Sequence, residues 1–207
     1  MTTAQNALQT LTTNFEQFKK QATKLSGGQS EKALFQELES DAEQIMLSPA
    51  STRYDLVCAY PGGLIEHSLR VLSVMAKMRS IYDPENKIPV NSIILVALFH
   101  DIGKAGNGKK SYYLDNDSEW HRTKLGQMYT INEKLAHLPV SQLSLEFLIR
   151  NGFTPNSDEW YAISSIRDKV RDDIPVSGEP MLAVMLQHAV KLACIVGKNK
   201  KEVGLVG

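Results

Sequence analysis

The stretch SIILVALFHDIGK, residues 92–104, decides the fold. From Ile93 to Phe99 it carries no polar side chain, so a helix built from it is apolar all round. Such a helix belongs at the centre of a protein, with neighbours on every side. It ends abruptly on His100 and Asp101, followed by Ile102, Gly103 and Lys104. An ionised Asp at the end of so apolar a helix needs a counter-charge, because burying it unpaired is costly. A bound metal is one solution. Lys104, one turn on, is another, as a local salt bridge. His100 and Asp101 diverge by about 100° on a helix, yet both can reach one cation off its end.

Upstream, GGLIEHSLRV (residues 62–71) opens a second helix, read over residues 64–81, with Leu69, Leu72 and Met75 or Ala76 on one side. His67 lies among Leu64, Ile65 and Leu69. Alone, it reads as a packed core histidine. Two helices each offering an imidazole, one followed by a carboxylate, instead make a mixed His/Asp set of the type that binds first-row divalent metals.

Further out, Leu8, Leu11, Phe15, Phe18, Ala22 and Leu25 repeat in steps of three and four, which predicts a helix over residues 4–25. Thr2 or Thr3 can cap it, and Ser26-Gly27-Gly28 ends it. A second helix begins near Glu31, with Ser30 as its cap, and runs until Pro49. Asn91 is expected to cap the apolar helix. Residues 104–121 read as a loop long enough for a functional lid. Helices follow at 140–151, 157–171 and from Pro180 to Val196. No strand alternation is visible, so the expected class is all-α. The expected division is an N-terminal hairpin (1–48), a main domain (49–197) and a frayed tail (198–207).

Basic and acidic residues balance at 23 each. This gives no support to a polybasic membrane anchor or to nucleic acid as a main partner. The two cysteines, Cys58 and Cys194, are too far apart for a CxxC motif and read as reduced thiols. The N-terminus lacks a basic region followed by an apolar one, and no apolar run approaches about 20 residues. The expectation is a soluble, cytoplasmic protein with no membrane partner.

The two motifs, GGLIEHSL and HDIGK, resemble the HD-domain superfamily of metal-dependent phosphohydrolases. The segment ASTRYDLVCAYPGGLIEHSLRV, with Ser111-Tyr112-Tyr113, Trp120-His121 and Leu125-Gly126, is similar to a branch common in phage and bacterial genomes. The resemblance spans roughly residues 50–195. It implies a helical bundle, chemistry on a nucleotide or related phosphate ester, and one divalent transition metal (Mn, Fe, Zn, Ni or Co). His67, His100 and Asp101 match ligand positions, with Asp101 and Lys104 in catalytic roles. Lys104 and Arg70 are the candidates for substrate phosphate. His137, or His121 on the loop, is expected to supply a further ligand.

Two places depart from the family pattern. Ile166 stands where a histidine is expected, and Lys191 where a carboxylate should complete the first metal site. The Lys191 ammonium is expected to sit against Asp101 and weaken metal binding, unless Asp168, Asp172 or Asp173 moves in. The expected site is therefore reduced, holding one ion weakly or none. Two functions remain: a phosphohydrolase, or a degenerate domain that binds a nucleotide or protein without hydrolysis. A homo-oligomer is compatible with either.

Overall fold

The computed structural model describes residues 3–25, 29–135, 137–166 and 178–202. It is a helical bundle, as expected, around α4 (Gly63–Tyr82) and α5 (Val90–Phe99). Helix α4 packs against α5, α9 (Met181–Glu202), α1 (Thr3–Ala22) and α3 (Ala42–Leu47). Helix α5 also touches α1, α9 and α8 (Ser157–Ser165). Every residue of α5 from Ser92 to Phe99 is buried, which is what its lack of a polar face requires. Phe99 meets Phe18 edge-on at 5.4 Å and stacks on Phe147 at 5.9 Å between ring centroids.

The chain enters α4 through a tight corner. Gly62 has φ +83°, where a glycine is favoured. A Cβ on Gly63 would stand 2.0 Å from the Cys58 carbonyl oxygen, so this close approach needs glycine as well. The corner aims the first two turns of α4, and with them His67, into the bundle.

Several local expectations shift. The helix expected from Glu31 to Pro49 starts at Gln29, placing Ser30 inside the first turn, and is broken at Asp41 into α2 (Gln29–Ser40) and α3. The N-cap of α5 is Pro89, not Asn91. Leu8, assigned to the buried face of α1, is exposed. The expected loop holds a strand, β1 (Tyr113–Asp115), paired antiparallel with β2 (Tyr129–Ile131). Between them lies α6 (Glu119–Leu125), capped by Ser118 and ended by Gly126 at φ +63°. Helix α7 (Val140–Arg150) follows, and α8 spans Ser157–Ser165; the remainder of the helix expected to residue 171 lies, beyond Ile166, outside the described residues. Helix α9 continues to Glu202, past the expected end near Val196. Among the described residues no helix is long and apolar enough to cross a membrane.

Candidate metal centre

Three buried side chains converge where α4 passes the end of α5. His67 sits in the second turn of α4, His100 closes α5 as its C-cap, and Asp101 leads into the 3-10 turn η1 (Ile102–Ala105). Their relative exposures are 1%, 0% and 3%, so water screens none of them. The two imidazoles meet edge to face at 5.6 Å. One ligand atom from each of the three lies within 4.8 Å of the other two. Among the described residues this is the group of His, Cys, Asp or Glu with metal-binding spacing.

The hydrogen-bond pattern fixes which atoms are available. His100 Nδ1 is 3.0 Å from the Ala97 carbonyl oxygen, which can only accept. Nδ1 therefore carries the hydrogen, and Nε2 is the ring nitrogen turned towards Asp101. Asp101 Oδ2 stands 3.6 Å from that nitrogen. His67 Nδ1 is buried and meets no hydrogen-bond partner among the described residues. Burial, helped by the neighbouring His100 and Lys104 and opposed by Asp101, pushes the His67 pKa down to about 3. His67 is thus a neutral imidazole at physiological pH, the form that binds metals.

Lys104 completes the cluster. Its Nζ lies 2.5 Å from Asp101 Oδ2 and 2.5 Å from the Ala50 carbonyl oxygen, with the side chain almost wholly buried. The local salt bridge available in the sequence is therefore formed. The turn that presents Asp101 and Lys104 is clamped to α7. The Gly103 N–H donates to Ser144 Oγ, and the Ser144 hydroxyl donates to the His100 carbonyl, both at 3.0 Å. A Cβ on Gly103 would lie 2.5 Å from the Val140 carbonyl oxygen, so only glycine lets η1 approach this closely.

The remaining candidates fall elsewhere. Arg70 is half-buried and engaged: it pairs with Glu66, donates to the Ala193 carbonyl at 3.4 Å and lies 3.5 Å from Cys58 Sγ. It ties α4 to α9 and is not poised as a phosphate ligand. Two histidines expected as further ligands lie outside the cluster. His137 is exposed on a turn. His121 turns its Nδ1 to Ser118 Oγ at 2.6 Å and its ring edge to Trp120. Ile166 caps α8 and packs on the main core. Lys191 is exposed on α9, so it does not sit against Asp101; Lys104 takes that role. Asp168, Asp172 and Asp173 lie outside the described residues.

Cys58, Cys194 and Ser144 escaped the sequence reading as neighbours of the site. Cys194 is a half-buried residue of α9. Burial raises its thiol pKa; the charge of Lys104 opposes this rise, and those of Asp101 and Cys58 add to it. Cys194 is thus an α9 side chain that feels the cluster, one turn beyond Lys191. No motif spacing marks it. The Tyr60 hydroxyl donates to Glu66 Oε2 at 2.8 Å and borders Cys58 Sγ at 3.4 Å, extending a polar network along the same edge of α4.

Two imidazoles and one carboxylate, with a His67 ring nitrogen that has no hydrogen-bond partner among the described residues, fit a divalent cation of the first transition row. The family model for the HD domain matches residues 64–151, which run from the first turn of α4 to the end of α7. Neither curated proteins nor solved structures gave a match to the chain.

Proposed function

We propose, on the premise that residues 64–151 are an HD domain of the metal-dependent phosphohydrolase superfamily, that the protein hydrolyses a phosphate ester of a nucleotide or related small molecule at a single-ion site. One observation carries this reading: the buried convergence of His67, His100 and Asp101. Those three side chains would hold the ion. Bound there, a divalent ion supplies Lewis acidity and a water of lowered pKa.

The chain's own residues set the conditions. His67 stays neutral down to a pH near 3, so protons do not compete for its lone pair above that range. The Ala97 carbonyl holds the His100 ring in one tautomer and orientation, the usual task of an outer partner of a metal-binding histidine. Asp101 contributes the negative charge. Lys104, a compact charge on a long stem, is the group suited to a substrate phosphoryl oxygen. Burial of all four keeps bulk solvent away and strengthens each electrostatic contact.

A binding domain without hydrolysis is the second reading. The ion pair between Lys104 and Asp101 favours it, because it neutralises the carboxylate that a metal needs. Turnover decides between the two. Nucleoside mono- and triphosphates are incubated with the purified chain and Mn²⁺, and phosphate release is followed. Turnover that vanishes in Asp101→Ala supports the enzyme. Nucleotide binding without release of phosphate supports the second reading.

A further inference from the structure

We infer that Lys104 and a divalent cation compete for Asp101, and that a phosphate group resolves the competition by drawing the ammonium away, so that ion and phosphate bind this site cooperatively. The inference rests on the metal-site reading above and says how the site would be loaded. Its basis is one oxygen atom. Asp101 Oδ2 is 2.5 Å from Lys104 Nζ and 3.6 Å from His100 Nε2. A cation lodged between the imidazole and the carboxylate takes the oxygen that now holds the ammonium.

Charge within the buried cluster leads the same way. Asp101 and Lys104 form a cancelling pair. The neighbouring Glu66 and Arg70 also form a cancelling pair. A divalent ion entering this dry cluster meets an ammonium at short range, and that repulsion opposes it. A phosphate dianion relieves it. It gives Lys104 a new acceptor and leaves Asp101 to the ion. The Ala50 carbonyl, which also accepts from the ammonium, carries no net charge. The length and torsional freedom of the lysine stem allow the exchange without movement of the η1 backbone. By reciprocity, if phosphate tightens the ion, the ion tightens phosphate by the same factor.

The test is calorimetric titration of the full chain with Mn²⁺ at pH 7, with and without inorganic phosphate, for the native protein, Lys104→Met and Lys104→Arg. Phosphate should tighten Mn²⁺ binding to the native chain by about tenfold or more, well within the usual range of coupling between sites. Lys104→Met, which keeps the stem and removes the charge, should bind Mn²⁺ about tenfold tighter without phosphate and lose most of the phosphate effect. Lys104→Arg should keep the native coupling. Equal Mn²⁺ affinity in the native and Met proteins, or a phosphate effect of the same size in both, overturns the inference and leaves the metal site standing. Absence of Mn²⁺ binding to every form overturns the metal site and the inference together. Should Lys104→Met fail to fold, the native and Arg proteins still decide: an Mn²⁺ affinity indifferent to phosphate overturns the inference.

Discussion

His67 is the side chain whose burial can be read in solution. Its folded pKa is about 3, against 6.5 for an ordinary histidine, and desolvation is the largest cause. Between those values the unfolded chain binds a proton that the folded chain refuses, so stability rises with pH through that window. The contribution is present in full above pH 6.5 and is lost as pH falls towards 3. Its slope is at most about 1.4 kcal/mol per pH unit. Urea unfolding of the native chain and of His67→Gln, from pH 7 to pH 4 in the presence of a chelator, isolates it from the carboxylates that titrate in both. The native stability should fall more steeply with acid. Parallel curves would mean that the ring reaches water.

The contact between η1 and α7 is the element that holds Asp101 and Lys104 in place. Ser144 Oγ accepts from the Gly103 N–H and its hydroxyl donates to the His100 carbonyl, inside the core. Ser144→Ala leaves both backbone groups without these partners and should cost about 1–3 kcal/mol in chemical unfolding; a loss below half a kcal/mol would mean that the turn finds replacements. The elements were legible to different degrees for physical reasons. Helix α5 announced itself because a run without a polar face has only one place to go. Strands β1 and β2 span three residues each, too short for alternation to show. The break between α2 and α3 falls at Asp41 without a proline or glycine to mark it. Ser144 could not be singled out, since a serine on an amphipathic helix carries no sign that its hydroxyl bridges two chain segments.

At the scale of the molecule, the legible part of the site is the part carried by α4 and α5, where an apolar run delivers its polar residues to the one place the bundle leaves for them. The part carried by α9 was misread. Its rotation is set by packing: Leu182, Leu186, Ala189 and Ala193 are buried, which leaves Lys191 exposed and brings Cys194 nearer the cluster. A single sequence gives the apolar face of such a helix, but not which residue beside that face meets a site on another helix. Among the described residues, the candidate site has His67, His100 and Asp101 as the side chains that could hold an ion. Elemental analysis of protein purified with Mn²⁺ and desalted, for the native chain, His67→Ala, Asp101→Ala and Lys191→Asp, tests this most directly. The expected result is one ion per chain at most in the native protein, the same in Lys191→Asp, and none in the two ligand variants. A stoichiometry near two, an ion content unaffected by loss of His67 or Asp101, or a marked gain in Lys191→Asp would contradict the account.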